Sequence, residues 1–277
     1  MSIVTVPAWY YRQFDADYSR DIPGEGYGGW MKADLKLNTD KTAFVVMHAW
    51  DCGTYEEHPG WYRAVEYIPR ANKIAREIFP GLLSAIRNAG MKLYHVAGSE
   101  SHCKGFPGFE YAKQCLKEYT QGKESFKMPY AERDAVSDEL RKFRFENVFV
   151  GLHNKADIER GQAKATFMKE AMPADNEPIA LDGDQLQAVC LKDGINHLIY
   201  MGFAINWCLQ YSPASMNDMA NRGFLCSAIR EAVTAVENKE SARTERHKEY
   251  GLWVTALKNG FVYDLKDIQN MLSTAVR

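Results

Sequence analysis

The sequence has few of the features that mark membrane, secreted or nucleic-acid-binding proteins. No apolar run approaches the roughly 20 residues that a transmembrane helix needs, and the first twenty residues lack the basic start and apolar centre of a signal peptide. The formal net charge of -2 indicates no basic surface for nucleic acid or an anionic membrane. We therefore predict a cytoplasmic protein whose partner is a small-molecule substrate, with no nucleic acid and no membrane bound.

Cysteine pairs at metal or disulfide spacing are also missing. The six cysteines are scattered, and no two of them form a CxxC motif, so they indicate reduced thiols rather than disulfides or a structural zinc site. The glycine-rich segment at 23–30 follows no apolar strand and opens no amphipathic helix, which argues against a phosphate-binding loop. We expect neither a cofactor nor a metal.

The sequence does contain apolar runs that alternate with amphipathic segments. Runs typical of buried strands lie at 42–48, 91–98, 146–152, 195–203, 224–231 and 261–265. Helical patterns separate most of these runs, which predicts an α/β fold in three layers, with a mostly parallel Rossmann-like sheet and helices on both faces. We assign 1–40 to an N-terminal arm and 41–277 to one domain, with irregular insertions near 99–146 and 153–182.

The position of Cys208 suggests a nucleophile. It follows the predicted strand at 195–203, and ligands of parallel sheets bind at the carboxyl ends of the strands. Free backbone N–H groups in the turn after a strand lower the pKa of a thiol and can hold an oxyanion. The alternative is an inert core position, which is the common role of a free cysteine. Cys190, within a helical pattern, and Cys226, within a strand pattern, are assigned to the core.

The segment "MGFAINWCLQYSPASMNDMANRGFLCSAIREA" resembles the isochorismatase-like cysteine hydrolases. The residues that match the family's pattern in order and spacing are Gly202, Cys208, Arg222, Gly223, Glu231 and Ala232. The resemblance extends over most of 42–272. It implies a six-stranded parallel sheet and a Cys-Asp-Lys triad that attacks amides, and it places Cys208 at the position of the nucleophile.

The resemblance also implies the geometry of the turn before Cys208. The family has a cis peptide bond there, which would fall between Phe203 and Ala204. That bond would direct the backbone N–H groups of Ala204 and Cys208 toward the oxyanion. Phe203 and Trp207 are then predicted to line the substrate pocket.

Two triad positions depart from the family's pattern. His48 occupies the position of the proton-accepting aspartate, at the end of the run 42–48. A histidine could accept the thiol proton, with Asp51 orienting it, or it could simply fill the position and bond to backbone. No lysine aligns cleanly; Lys155 is the nearest candidate, and Lys164 and Lys169 are alternatives.

The segment 48–67 is rich in aromatic residues and predicts the wall of a pocket for a flat or apolar substrate. Trp50 and Asp51 belong to this wall. Some members of the family bind zinc near the second strand, where His95 and His102 lie here, but no DxH pattern accompanies them. Two histidines without a third ligand are weak evidence for a zinc site.

These observations predict a hydrolase that acts on a small amide or a related C–N or ester bond through Cys208, with His48 and Lys155 as partners. The alternative is a catalytically degenerate relative that serves as a small-molecule-binding or assembly scaffold. The family commonly forms oligomers, so we expect a homodimer or homotetramer.

Overall fold

The computed structural model describes residues 3–14, 16–123, 130–149 and 153–275, and its centre is one mixed β-sheet. Within these residues the chain forms eight strands: β1 (Ile3–Arg12), β2 (Gly29–Asn38), β3 (Thr42–Met47), β4 (Lys92–Val96), β5 (Ile179–Ala180), β6 (His197–Phe203), β7 (Leu225–Thr234) and β8 (Val262–Tyr263).

Helices connect the strands and cover both faces of the sheet. In the same described ranges, twelve α-helices are present: α1 (Pro59–Ala64), α2 (Ile68–Glu77), α3 (Phe79–Asn88), α4 (Glu100–Cys103), α5 (Pro107–Thr120), α6 (Ala135–Arg144), α7 (Lys155–Gln162), α8 (Gly183–Asp193), α9 (Cys208–Tyr211), α10 (Met216–Asn221), α11 (Arg246–Val254) and α12 (Leu265–Ala275).

The strand order is β2-β1-β8-β7-β6-β3-β4-β5. The six strands from β3 to β8 are parallel, as predicted. The total of six was wrong, because β1 and β2 add an antiparallel hairpin beside β8 and bring the sheet to eight strands within the described residues.

The hairpin β1–β2 is built from residues that the sequence assigned to an arm. Its register runs from Ile3 opposite Asn38 to Arg12 opposite Gly29. The indole N–H of Trp9 donates to the Asp264 carboxylate at 2.9 Å, which fastens the hairpin to the chain just before α12. The hairpin therefore extends the sheet rather than lying over it.

Five of the six predicted strands are confirmed as β3, β4, β6, β7 and β8. The prediction of a strand at 146–152 was wrong, since Phe145–Phe149 forms a π-helical turn and 150–152 lie outside the described residues. The edge strand next to β4 is instead β5, which has only two residues and is too short to produce a recognisable sequence pattern.

Every residue of β3 is buried, and its side chains alternate between two apolar layers. Ala43, Val45 and Met47 pack with residues of α5, α8, α10 and α11. Phe44 and Val46 pack with residues of α2, α3 and α12 on the other face. These two layers confirm the three-layer prediction and position the carboxyl end of β3 at the centre of the molecule.

The helices of the described ranges include none with the length and apolar composition needed to cross a membrane. The two cysteines assigned to the core, Cys190 and Cys226, are confirmed as fully buried.

Candidate active site

The candidate site lies where β3 and β6 end side by side. Met47 is paired with Gly202 at the last step of the ladder, so His48 and Phe203 follow at the same end of the sheet. The backbone of His48 is left-handed, with φ of 55°, and its N–H donates to the carbonyl of Val96 at 3.0 Å. Strand β3 therefore ends sharply at His48, which holds the ring at the carboxyl edge.

The turn that follows β6 is anchored to the end of β7. The Phe203–Ala204 peptide bond is cis, as the resemblance implied. The N–H of Ile205 donates to the carbonyl of Thr234 at 2.8 Å, and the Asn206 side chain exchanges two hydrogen bonds of 2.8 and 2.9 Å with the backbone of Val236. These bonds fix the position of Cys208, the first residue of α9.

The Cys208 thiol is partly exposed, and burial raises its pKa. Hydrogen bonds from the Ser212 side chain and from the backbone of Ala204 and Cys208 act in the opposite direction without reversing the shift. The predicted depression of the thiol pKa was wrong, because α9 has only four residues and burial outweighs the hydrogen bonds.

His48 is a neutral, buried imidazole. Burial, assisted by the neighbouring His102, lowers the pKa of His48 to about 4. Its Nδ1 atom is buried without a hydrogen-bond partner among the described residues, which show no bond between His48 and Cys208. Asp51 does not orient the ring, since its carboxylate is exposed and accepts from the N–H of Gly53 at 2.8 Å.

Two cavities meet at His48 and Trp50, which line both of them. The first is an open cleft of about 20 Å³ and is lined further by Cys52, Trp61, Val65, Tyr67, Ile68, Ala71, Asn72, Met168 and Phe203. The second is an open cleft of about 10 Å³ and is lined further by Ala49, Val96, Ala97, Gly98, His102, Thr166 and Phe167.

The cavities include two of the four residues predicted for the substrate pocket. Trp50 and Phe203 line the first cavity, whereas Asp51 and Trp207 line neither. The Trp207 side chain instead points into solvent, with 52% of the residue exposed. Cys208 is likewise absent from both linings.

Lys155 lines neither cavity. Its Nζ atom is 3.8 Å from Glu159 Oε1 and 5.8 Å from the centre of the Phe145 ring, and half of its side chain is exposed. The alternatives Lys164 and Lys169 are exposed as well. Both cavity linings consist of described residues, and neither includes a lysine.

Sequence reasoning missed the contribution of the segment 165–168. The N–H of Asp51 donates to the carbonyl of Thr166, and the N–H of Met168 donates to that of Ala49, both at 2.8 Å. This antiparallel contact brings the insertion against the chain after β3 and supplies one wall of each cavity. No pattern in either segment signals a contact across more than a hundred residues.

Tyr67 was also missed. It lines the first cavity, and burial, together with the nearby Cys208 and Cys52 thiols, raises the pKa of its hydroxyl. Tyr67 is therefore an uncharged hydroxyl in the wall of the first cavity.

The two histidines considered as zinc ligands have different surroundings. Nε2 of His95 lies 2.9 Å from Glu177 Oε2 in a buried pair that Arg87 joins, whereas His102 lines the second cavity. Among the residues that the structure describes, no group of three or more His, Cys, Asp or Glu side chains is arranged to hold a metal ion.

We predict that the protein loses stability in mild acid because two buried histidines must stay neutral in the fold. Burial lowers the pKa of both His48 and His197 to about 4. The unfolded chain takes up these protons from about pH 6.5 downward, whereas the folded chain does so only near pH 4. Protonation therefore favours the unfolded chain, and the free energy of unfolding is highest above pH 6.5 and falls toward pH 4. Each histidine contributes on the order of 3 kcal/mol.

Urea unfolding between pH 7.5 and 4.5 measures this loss. His197→Gln should flatten the dependence of the unfolding free energy on pH, while the exposed His153→Gln should leave it unchanged. An equal pH slope in the native protein and in His197→Gln would contradict the assignment.

Comparison with known proteins identifies the fold. No family model and no curated protein matches the sequence. Among solved structures, a cysteine hydrolase from Pseudomonas syringae pv. phaseolicola is 13% identical with a TM-score of 0.51, covering 86% of this chain and 95% of the other. An isochorismatase-like hydrolase from Alkaliphilus metalliredigens is 14% identical, with coverage of 84% and 99% and a TM-score of 0.47.

The resemblance seen in the sequence is thus confirmed at the level of the fold. The chain has the three-layer α/β architecture of the isochorismatase-like hydrolases, with a hairpin added to the sheet.

Proposed function

We propose that this chain is a divergent isochorismatase-like hydrolase that attacks a small amide, or a related C–N or ester bond, through Cys208. One observation carries the proposal: Cys208 is the first residue of α9, in the turn that follows the carboxyl end of β6. We expect the backbone amides of Ala204 and Cys208 to face the oxyanion there. Backbone N–H groups in that position stabilise the negative charge that develops on a carbonyl oxygen during attack.

In the proposed reaction the Cys208 sulfur bonds to the substrate carbonyl carbon, and the π electrons move to the oxygen held by the two amides. The thiol proton passes to the leaving amine or alcohol as the C–N or C–O bond breaks. Water then attacks the thioester, releasing the acid and restoring the thiol. No external oxidant or cofactor is needed for this balance.

His48 is the proposed carrier of the proton. It lies at the end of the strand adjacent to β6 and is uncharged at neutral pH, so it can accept a proton. Its buried site disfavours a lasting imidazolium, which favours concerted transfer from the thiol to the leaving group. Esters and other substrates with good leaving groups should therefore react faster than unactivated amides.

The first cavity defines the proposed substrate class. It is walled by Trp50, Trp61, Tyr67 and Phe203, so we propose a flat or apolar substrate. Aromatic walls stabilise flat ligands by stacking. A cytoplasmic location and assembly into a homodimer or homotetramer remain predictions.

The second candidate function is that of a binding or assembly scaffold that kept the fold without turnover. It is favoured by the raised pKa of Cys208, by the missing hydrogen bond between His48 and Cys208 in the described structure, and by Lys155, which lines neither cavity. The two candidates differ in whether Cys208 reacts with electrophiles.

Alkylation by iodoacetamide distinguishes them. Cys208 should be labelled before the other five thiols at pH 8, since it is partly exposed while four are fully buried and burial raises the pKa of Cys52 to about 12. Its rate should still rise above the pH at which a free thiol titrates, because its pKa is raised.

Peptide mass spectrometry at several times and pH values measures the order of labelling. Native protein labelled first at Cys52, or at several cysteines with equal rates, would favour the scaffold.

A further inference from the structure

The second cavity contains two imidazoles that lack hydrogen-bond partners. His48 and His102 are each only 9% exposed, and both line the second cavity. In the part of the chain that the structure describes, Nδ1 of each ring is buried and unpaired. Buried polar atoms are nearly always paired in native proteins, so the unpaired Nδ1 of His102 in the wall of this cavity indicates a partner that binds there.

Gly98 lies between the two rings. A Cβ atom at Gly98 would stand 3.7 Å from His48 Nε2 and 3.8 Å from His102 Nδ1. No more than about 7.5 Å therefore separates these two nitrogens, and both face the space beside Gly98. One oxygen between them can accept from both rings where the nitrogens lie within about 5.8 Å, twice an ordinary hydrogen bond. The missing side chain at Gly98 leaves this space open.

Neighbouring groups hold the rings in place. Trp50 stacks on His102 with ring centres 5.7 Å apart and meets His48 edge-on at 6.1 Å. The Thr166 hydroxyl donates to the backbone carbonyl of His102 at 3.3 Å. The site is thus preorganised, which reduces the entropy lost on binding.

The charge of the cavity selects an uncharged ligand group. Burial lowers the pKa of both His48 and His102, so both rings are neutral at physiological pH. The lining contains no lysine or arginine among its described residues. A carboxylate would be buried here without a cation, which is costly, whereas a carbonyl oxygen needs only N–H donors.

We propose that the second cavity is a subsite for an uncharged hydrogen-bond acceptor, a ketone or carboxamide oxygen at the far end of the substrate, held by His48 and His102. This inference rests on the proposed function for the identity of the ligand as substrate, although binding does not require turnover. An acceptor at His48 Nε2 places the proton there and leaves the lone pair on Nδ1. The ligand thereby performs the orienting role that Asp51 does not.

Three benzamides of matched size test the subsite by titration calorimetry at pH 7.5 with the Cys208→Ser protein, which separates binding from turnover. The probes are 4-acetylbenzamide, 4-isopropylbenzamide, which lacks the oxygen, and 4-carboxybenzamide. We expect the acetyl compound to bind about tenfold more tightly than the isopropyl compound, as one hydrogen bond provides, and the carboxylate to bind most weakly.

His102→Phe keeps the stacked ring and should remove the tenfold preference, whereas the exposed His153→Phe should retain it. Equal binding of the acetyl and isopropyl compounds, tightest binding of the carboxylate, or no binding of any probe would overturn the proposal. If His102→Phe does not fold, nitrogen NMR of the parent protein decides: 4-acetylbenzamide must shift the ring nitrogens of both His48 and His102.

The outcome is separable from that of the proposed function. A protein that shows the ligand preference but no turnover retains the subsite and loses the hydrolase assignment. Turnover without the preference refutes the subsite alone.

Discussion

Cys208→Ser should lower the rate of hydrolysis of 4-nitrophenyl acetate and of small aryl amides by at least about 10³-fold. A serine hydroxyl is far less acidic than a thiol, and the proposed proton acceptor, His48, is uncharged and a weak base in its buried position. Removing the nucleophile of a hydrolase commonly costs more than this factor. The measurement is kcat/KM of the purified variant, with circular dichroism and thermal unfolding showing that the fold is unchanged.

Cys52→Ser is the matched control. Cys52 lines the first cavity together with His48, whereas Cys208 lines neither cavity, so a cavity-based assignment would choose Cys52 as the nucleophile. Burial, with Asp51 nearby, raises the pKa of Cys52 to about 12, and its thiol donates to the carbonyl of Trp50 at 3.8 Å. Cys52→Ser should keep activity within a few fold. Loss of activity in Cys52→Ser, with activity retained in Cys208→Ser, would show that Cys52 is the nucleophile.

Gly202→Ala should be among the most destabilising single substitutions in the chain. Gly202 has φ of 122°, and a Cβ atom there would lie 2.0 Å from the carbonyl oxygen of Met47. The substitution must push β3 and β6 apart at their carboxyl ends, next to the candidate site. We expect a loss of about 4 kcal/mol or more, seen as a fall of roughly 10 °C in the unfolding midpoint or as insoluble protein.

Gly223→Ala is the control that measures the cost of a positive φ alone, without a steric clash. Gly223 also has a positive φ, of 93°, but nothing lies within 4 Å of its Cβ position. It should cost only the penalty for a left-handed residue, about 1–2 kcal/mol. Similar stability of Gly202→Ala and Gly223→Ala would show that the close approach of β3 and β6 is not required.

Much of the parallel sheet could be predicted because its strands carry continuous apolar runs. The run at 42–48 became β3, buried at every position, and the run at 195–203 ended in the turn that presents Cys208. β5 could not be found, since two residues produce no periodicity. The hairpin was missed because its residues appeared as an aromatic and polar arm, without the continuous apolar run of the central strands.

The site was predictable where it depends on local spacing and not where it depends on distant contacts. The cis bond follows from one short segment, and the structure has it between Phe203 and Ala204 as the resemblance implied. Lys155 was chosen by its place in the sequence, but its position is set by α7, where Glu159 is its partner. His102 contributes to the second cavity only through tertiary packing, which no motif records.

The central claim is that the Cys208 sulfur forms a thioester with a substrate carbonyl. The most direct measurement is mass spectrometry of the native protein, rapidly quenched in acid after mixing with 4-nitrophenyl acetate, followed by peptide mapping. The account predicts a single acetyl group on Cys208 that forms at the rate of the nitrophenolate burst and is lost on further incubation, and none in Cys208→Ala. An acetyl group on Cys52 or on lysines with Cys208 unmodified, or no adduct despite turnover, would contradict it.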